Sequence, residues 1–165
     1  MENKSMTSEL KTGDLAPEFR ASAIGGKYGP GEEVALADFH GSIVALYFYP
    51  KDDTPGCTVQ ACDLRDSWSE LGKRANVFGV SVDSLKSHAK FIEKYQLPFP
   101  LLSDPDQKIV RDYGVWVEKR MYGKKYMGAE RTTFVIDKHG VITAIRRKVK
   151  PEEHVALLRA ALQKP

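Results

Sequence analysis

Apolar residues occur in this chain as short, nearly continuous runs separated by longer amphipathic stretches. The run at residues 43–49 predicts a buried strand, and the run at 76–82 predicts a second one. Between them, apolar residues at helical spacing predict a helix from Pro55 to about Lys73. One stripe of this helix is expected to face the sheet: Cys57, Ala61, Leu64, Trp68 and Leu71.

The next stretch predicts another helix. Asp83 or Ser84 is placed to cap it, and it is expected to run to about Gln96. Its inward side chains are expected to be Leu85, Ala89, Phe91 and Ile92. A short strand at 101–102 and a short helix ending near Tyr113 follow. This region therefore continues the alternation of strands and helices.

The two ends of the chain complete the pattern. Residues 15–24 predict an N-terminal edge segment, because Pro17 favours an edge over a central strand, and the glycines at 25–31 predict a flexible connection. Near the C-terminus, strands at 132–136 and 141–147 form a hairpin, and Pro151 opens a last helix. This order predicts an α/β fold in which helices sandwich a mixed central β-sheet.

Composition and charge narrow the class of protein. The chain has 165 residues, and its net charge of +3 is too small to indicate nucleic acid binding. Residues 1–11 lack the apolar centre of a secretory signal, and no run approaches the ~18 apolar residues that span a membrane. We expect a loosely ordered tail at 1–12 and a single domain at 13–165.

Both cysteines lie directly after the first predicted strand. Cys57 falls in the first turn of its helix, where exposed N–H groups and the helix dipole favour a thiolate. Cys62 lies five residues further on, which corresponds to about 8.6 Å between Cα atoms on an intact helix. A disulfide needs about 4.4–6.8 Å, so pairing them requires the first turn to unwind. Two cysteines without a signal segment indicate a reducing cytoplasm.

The residues around Cys57 resemble a known family. Pro50-x-x-x-Thr54-x-x-Cys57 is similar to the active-site motif of the peroxiredoxins. The longer string Tyr-Pro-Lys-Asp-Asp-Thr-Pro-Gly-Cys-Thr-Val-Gln-Ala-Cys resembles the bacterioferritin comigratory protein (PrxQ) subfamily. Arg131, just before the strand at 132–136, resembles the arginine of the family's Arg-x-Thr-Phe motif. The resemblance extends from about Gly13 to the C-terminus and implies a thioredoxin-like fold.

The resemblance also implies a function, a thiol-dependent peroxidase acting on hydrogen peroxide and organic hydroperoxides. Cys57 would be the attacking thiolate, which becomes a sulfenic acid. Thr54 would hold the thiolate and a peroxide oxygen, Pro50 would shield the sulfur, and Arg131 would polarise the peroxide. Cys62 would form an intramolecular disulfide with Cys57, which thioredoxin or a glutaredoxin-like protein would reduce. No cofactor, metal, nucleic acid or membrane is implied, and a cytoplasmic monomer is expected.

Other interpretations stay open on the residues alone. Thr54 could act only as a helix cap, Arg131 only as a surface charge, and the cysteines only as core residues. Cys-x4-Cys is a poor zinc motif, and a Cys–His hydrolase would need one of the 4 histidines, none close to a cysteine in sequence. A general disulfide oxidoreductase would favour Cys-x-x-Cys. A redox-switch binding or chaperone-like protein would use the same disulfide without peroxide turnover.

Two groups of charged residues are expected at the surface. Asp52 and Asp53 are expected to face solvent, because carboxylates turned towards Cys57 would oppose a thiolate. Basic clusters at 119–120, 124–125 and 146–150 are interspersed with tyrosines. This arrangement favours a solvated face over a nucleic acid surface.

Overall fold

A computed structural model describes residues 9–163. Within these residues the strands are β1 (Arg20–Gly25), β2 (Tyr28–Ala35), β3 (Val44–Phe48), β4 (Asn76–Ser81), β5 (Leu101–Ser103), β6 (Trp116–Met121), β7 (Lys124–Ala129), β8 (Thr132–Ile136) and β9 (Ile142–Arg146). The helices are α1 (Pro55–Asp66), α2 (Trp68–Leu71), α3 (Leu85–Tyr95), α4 (Lys108–Asp112) and α5 (His154–Leu162), with 3-10 turns at Leu36–Phe39 and Pro151–Glu153.

Seven strands form one mixed sheet in the order β2-β1-β5-β4-β3-β8-β9. The neighbours β3, β4 and β5 are parallel, whereas β8 and β9 continue the sheet antiparallel. Central strands are covered on both faces and therefore carry continuous apolar runs. All five residues of β3 and all five of β8 are buried accordingly. The predicted α/β architecture with a mixed sheet is confirmed.

The side chains of β3 alternate between two core clusters, one on each face of the sheet. Leu46 and Phe48 belong to the cluster that includes Val110 of α4. Ala45 and Tyr47 belong to the opposite cluster, in which residues from α1, α3 and α5 are packed: Cys57, Ala61, Leu64, Phe91 and Leu158. This alternation with a period of two is the expected geometry of a strand between two layers. Helices therefore cover both faces, and Cys57 is part of one layer.

The N-terminal region differs from the prediction. Residues 21–24 do form a strand, but β1 lies between β2 and β5, and the edge strand is β2. Of the predicted flexible connection at 25–31, only residues 26–27 form a tight turn, and residues 28–31 belong to β2. Gly25 and Gly26 both have positive φ there, at 100° and 59°, a conformation that glycine adopts readily. Pro17 does not affect β1, because it precedes the strand.

The helix predicted to reach Lys73 ends earlier. It begins at Pro55 as predicted but stops at Asp66, where Ser67 leaves helical geometry with φ −107° and ψ 11°. The separate short helix α2 follows. The predicted inward stripe is otherwise confirmed, since Cys57, Ala61, Leu64 and Leu71 are buried and Trp68 packs partly buried against them.

The second helix is capped by Ser84, whose Oγ accepts a hydrogen bond from Ser87 N at 3.1 Å. The inward face includes Phe91 as predicted, but the other fully buried residue is a histidine, His88. Leu85, Ala89 and Ile92 are only half-buried. The polar His88 is buried because partners for both ring nitrogens lie beside it, as described below.

Between α4 and β8 the chain forms a separate two-stranded hairpin, β6–β7, which the sequence pattern did not predict. Its strands contain mostly exposed polar residues, so they lack the apolar alternation that marks a strand. The predicted hairpin of β8 and β9 is confirmed, and a last helix follows Pro151. Residues 1–8 of the predicted tail lie outside the described residues, and the division at 12/13 stays a prediction.

Candidate active site

Cys57 lies in the first turn of α1, just beyond the carboxyl end of β3. Pro55 occupies the first helical position, where its missing N–H costs no hydrogen bond, and Thr54 precedes it in an extended conformation. The Cys57 side chain is only 2% exposed. The sulfur therefore lies at the positive end of the helix, largely out of contact with solvent, as the sequence predicted.

Arg131 is brought to this sulfur by the pairing of two strands. The antiparallel register places Thr132 opposite Phe48, so the residue before β8 lies beside the residues that follow β3. Arg131 Nη1 donates to Cys57 Sγ at 3.4 Å and to Gln60 Oε1 at 2.7 Å. Two acceptors on α1 thus hold the guanidinium. The prediction that Arg131 faces the cysteine agrees with this geometry.

Gly56 allows this close approach. A Cβ at position 56 would lie 3.1 Å from Arg131 Nη2 and 3.1 Å from Pro151 Cγ. Both contacts are tighter than ordinary van der Waals packing, so a larger residue would displace the guanidinium or the turn before α5. Glycine next to the cysteine is therefore a packing requirement of the site.

Thr54 and Pro50 flank the site but make no hydrogen bond to the sulfur. Thr54 Oγ1 donates to Lys51 O at 2.8 Å, and its side chain does not cap α1. The hydrogen of this hydroxyl is committed to a backbone carbonyl, which leaves the oxygen as an acceptor. Pro50 ends the buried run of β3 and is half-buried.

Cys62 lies on the same uninterrupted helix, is half-buried, and carries a free thiol, as does Cys57. On an intact helix a spacing of five residues is too long for a disulfide, by the geometry given above. The structure therefore shows the dithiol form with α1 folded. Formation of a Cys57–Cys62 disulfide would require the start of α1 to open.

A layer of buried polar side chains lies behind the sulfur, and the sequence pattern did not predict it. The Tyr47 ring lies 5.1 Å from the His154 ring, centroid to centroid, and Thr133 Oγ1 is 2.9 Å from His154 Nε2. Burial raises the pKa of Tyr47, and the neighbouring Cys57 adds to this effect. Burial, assisted by the Arg131 charge, lowers the pKa of His154 to about 4. Both side chains are thus neutral near pH 7.

The prediction that Asp52 faces solvent is wrong. Asp52 is 7% exposed, and its carboxylate accepts hydrogen bonds from the Tyr49 hydroxyl at 2.6 Å and the Ser87 hydroxyl at 2.7 Å. His88 Nδ1 lies 2.7 Å from the same carboxylate. These donors replace water around the charge, which is why the residue can be buried. Asp53 is exposed as predicted and pairs with Lys94 at 2.8 Å.

Asp52, Asp83 and His88 place three ligand-type atoms within 4.8 Å of one another. Such a group could in principle bind a metal ion. However, Asp83 Oδ2 already accepts from Asp52 N and Ser81 Oγ, at 2.8 and 2.7 Å. The donors around Asp52 are likewise close enough to satisfy its oxygens. The cluster is therefore best described as a hydrogen-bonded network.

The basic hairpin β6–β7 adjoins the site through Lys119. Lys119 Nζ donates to Ala129 O at 2.8 Å, and burial together with the Arg131 charge lowers its pKa. At the tip, Tyr122 is 98% exposed, and Lys124 and Lys125 are exposed as well. Residues 120–127 are exposed, in agreement with the predicted solvated face, whereas Arg146 and Arg147 of the third basic cluster are half-buried.

Comparison with known proteins identifies the family. A family model described as AhpC/TSA family matches residues 12–145. The chain is 57% identical to a putative peroxiredoxin bcp of Coxiella burnetii over 148 residues, which cover 89% of this chain and 95% of that protein. It is 47% identical to the peroxiredoxin Bcp of Bacillus subtilis over 152 residues, 92% of each chain. The chain belongs to the peroxiredoxins.

This peroxiredoxin also resembles a solved structure, that of the bacterioferritin comigratory protein of Xanthomonas campestris. The TM-score is 0.79 at 39% identity, covering 88% of this chain and 90% of the other. The likeness confirms the predicted thioredoxin-like fold, and the relatives confirm the predicted Bcp (PrxQ) subfamily. As a peroxiredoxin, the protein is a thiol peroxidase, an oxidoreductase that uses a peroxide and a thiol reductant.

The peroxiredoxin site contains residues that no motif identified. A glutamine inside a helix is ordinarily a surface residue, so the sequence pattern does not mark Gln60, yet it is fully buried against Arg131. Among residues 9–163 no histidine hydrogen-bonds Cys57, so the geometry does not favour a Cys–His hydrolase.

In the described part of the chain no helix has the length and apolar character needed to cross a membrane.

Proposed function

We propose that Cys57 is the peroxidatic thiol of this enzyme and that Arg131 activates it. The thiolate attacks one peroxide oxygen, so that an S–O bond forms while the O–O bond breaks. The other oxygen takes up a proton and leaves as water or an alcohol, and Cys57 becomes a sulfenic acid. The observation that carries the proposal is the 3.4 Å contact between Arg131 Nη1 and Cys57 Sγ. It puts a permanent cation where negative charge develops on the reacting atoms.

Thr54 and Pro50 are proposed to orient and shield the reacting atoms. The Thr54 hydrogen is held by Lys51 O, so the hydroxyl oxygen accepts a hydrogen bond from the O–H of the bound peroxide. This contact would hold the O–H oxygen, which the thiolate attacks, next to the sulfur, with the other oxygen, which leaves, towards Arg131. Pro50 has no N–H and covers the sulfur without competing for its hydrogen bonds.

Cys62 is proposed to be the resolving thiol. After the start of α1 opens, the Cys62 thiol attacks the Cys57 sulfenic sulfur, water leaves, and an intramolecular disulfide forms. A dithiol reductant then transfers two electrons by thiol–disulfide exchange and restores both thiols. Thioredoxin is the reductant we propose, with a glutaredoxin-like protein as the alternative. The position of both cysteines on one helix end, with Cys62 half-buried, supports this sequence of steps.

Hydrogen peroxide and organic hydroperoxides are the proposed substrates. The Xanthomonas campestris relative is described as having alkyl peroxide reduction activity. The proposed chemistry uses only the O–O bond and one O–H, which hydrogen peroxide and alkyl hydroperoxides share. We further propose a cytoplasmic monomer, since both cysteines are assigned to catalysis and a reducing compartment keeps them available.

The test is peroxide-dependent NADPH oxidation with thioredoxin and thioredoxin reductase, accompanied by intact mass. The wild-type enzyme is expected to turn over and, without reductant, to lose ~2 Da as the disulfide forms. Cys57→Ser should abolish turnover, whereas Cys62→Ser should react once and stop at the sulfenic acid. Full turnover by Cys62→Ser would remove Cys62 from the mechanism, and an active Cys57→Ser would refute the whole proposal. Light scattering tests the monomer.

A further inference from the structure

The loop between β3 and α1 is fastened to α3 by a single buried carboxylate. Asp52 receives the Tyr49 hydroxyl on Oδ1, and the Ser87 hydroxyl and His88 Nδ1 on Oδ2, all at 2.6–2.7 Å. Its backbone N–H donates to Asp83 Oδ2 at 2.8 Å. One residue thus joins the end of β3, the loop before Cys57 and the first turn of α3. None of these contacts was used in the mechanism above.

The hydrogen bonds of His88 determine where its protons lie. His88 Nε2 is 2.9 Å from Leu102 O, and a carbonyl only accepts, so Nε2 carries a hydrogen. His88 Nδ1 lies 2.7 Å from Asp52 Oδ2, and two lone pairs cannot face each other at that distance. A second hydrogen must therefore lie between ring and carboxylate. Asp52 and His88 therefore share one proton in a buried hydrogen bond, and the two hydroxyls of Tyr49 and Ser87 complete the donors around the carboxyl group.

The anchorage ends shortly after Asp52. Asp53 is tied to α3 only by exposed groups, Lys94 Nζ and the Tyr95 hydroxyl, each at 2.8 Å. From Gly56 onwards the chain packs instead against Arg131 and the turn before α5. The boundary between these two sets of contacts falls at Thr54 and Pro55. It lies immediately before the turn that must unwind for a Cys57–Cys62 disulfide.

We propose that Asp52 is a positioning residue that holds the loop before Cys57 against α3 through its buried pair with His88. It thereby favours the folded start of α1, in which the sulfur faces Arg131, over the unwound start that the disulfide requires. This inference rests on the proposed roles of Cys57 and Cys62 and adds the residue that sets the balance between the two arrangements. Asp52 acts through the position of Cys57 and does not touch the substrate.

The balance between the folded and the unwound start of α1 can be measured chemically, because the Cys57 sulfenic acid gives a different product in each. In the folded arrangement a second peroxide oxidises it to a sulfinic acid and is itself reduced to water or an alcohol. In the unwound arrangement the Cys62 thiol attacks it, releases water and forms the disulfide. The ratio of sulfinic acid to disulfide therefore reports the relative populations of the two arrangements. A residue that contributed only to global stability would not change this ratio.

The decisive experiment measures that ratio in Asp52→Asn by intact mass after a titration with hydrogen peroxide. Asparagine keeps the size of the side chain but replaces one carboxylate oxygen with an NH2 group, which cannot accept a hydrogen bond from the donors around it. Loss of such a buried hydrogen bond corresponds to about a tenfold or larger shift in an equilibrium. We expect the sulfinic-to-disulfide ratio to fall about tenfold, and the first reaction with peroxide to slow as the competent population falls.

Two matched variants separate positioning from stability. Asp53→Asn changes the adjacent carboxylate, which is exposed and has φ 58°, a conformation that asparagine tolerates. Val110→Ala weakens the core on the opposite face of the sheet. Both are expected to leave the ratio within about twofold of wild type. An unchanged ratio in Asp52→Asn, or an equal shift in either control, would overturn the proposal.

Ser87→Ala provides the same test if Asp52→Asn does not fold. It removes one donor from Asp52 and leaves the Asp52–His88 hydrogen bond intact, so a smaller shift in the same direction, about two- to threefold, is expected. No shift in Ser87→Ala would then overturn the proposal. Failure of the proposed function is distinguishable, since wild-type enzyme would then form neither product. If wild type forms both products and Asp52→Asn matches it, only the role of Asp52 fails.

Discussion

Acidification is expected to weaken the fold through His154, which lies behind the active site with no exposed surface. Its Nε2 is 2.9 Å from Thr133 Oγ1, and its Nδ1 has no protein partner among residues 9–163. Burial first, and the Arg131 charge second, lower the pKa of His154 from 6.5 to about 4. The folded protein therefore holds this ring neutral at a pH where the unfolded chain would protonate it.

The sign and size of the effect follow from proton linkage. Between pH 4 and 6.5 the unfolded state binds more protons at this residue than the folded state, so stability rises with pH. The contribution is fully present above the unfolded pKa and is lost as the pH falls towards 4. The total loss is about 3 kcal/mol, at about 1.4 kcal/mol per pKa unit. Between about pH 7 and about pH 5 the expected loss is about 2 kcal/mol.

The assay is urea unfolding followed by tryptophan fluorescence at several pH values in that range. His154→Gln retains a hydrogen-bonding side chain but cannot titrate, so its free energy of unfolding should fall less on acidification, by about 2 kcal/mol. His139→Gln, at an exposed turn position, controls for loss of a histidine as such. Parallel pH dependences for wild type and His154→Gln would refute the reasoning, because carboxylates alone would then account for acid sensitivity.

Three further predictions concern the site and its helix. Gln60→Ala removes the acceptor that holds Arg131 at 2.7 Å, so kcat/KM for peroxide should fall about tenfold or more. The circular dichroism spectrum should stay unchanged, and an unaltered kcat/KM would contradict this prediction. Gly56→Ala introduces a Cβ 3.1 Å from Arg131 Nη2, which would displace the guanidinium and lower kcat/KM for peroxide while helix content is kept. Full activity would show that the guanidinium can shift freely. Leu64→Ala empties a fully buried position and should lower the free energy of unfolding by about 2–5 kcal/mol in urea; a loss well below that would indicate that the helix repacks.

The sequence pattern predicted the parts of the fold that depend on local burial. Strand β3 is apolar throughout and the last three residues of β8 are apolar, because both faces of these strands are covered, so each run is visible in the sequence. The start of α1 was equally clear, since Pro55 at the first helical position has a local cause. Cys57 and Arg131 could be paired only through the family motif, because strand register is invisible in one sequence.

The features that the sequence pattern did not predict depend on contacts between residues that are distant in sequence. Asp52 looks like a loop carboxylate until Ser87 and His88, 35 and 36 residues later, supply its donors. Hairpin β6–β7 is exposed over most of its length, and its partly buried residues follow no apolar period, so the sequence pattern does not mark it. Gln60 can be buried because Arg131, the residue just before β8, donates a hydrogen bond to it. In each case burial of a polar residue was decided by a partner that local pattern cannot show.

The same buried polar groups bear on why the start of α1 can open during catalysis. Gln60 Nε2, the Tyr47 hydroxyl and His154 Nδ1 are buried and lack protein partners among residues 9–163. An unsatisfied buried group costs about 1–3 kcal/mol, and opening the helix would bring Gln60 within reach of water. Opening also breaks the Arg131 contacts to Cys57 and Gln60, which oppose it. The folded site is thus held by the half-buried Arg131 and by the Asp52 anchor, against Gln60, which gains from exposure. A helix balanced in this way can present Cys57 to peroxide and still release it to Cys62.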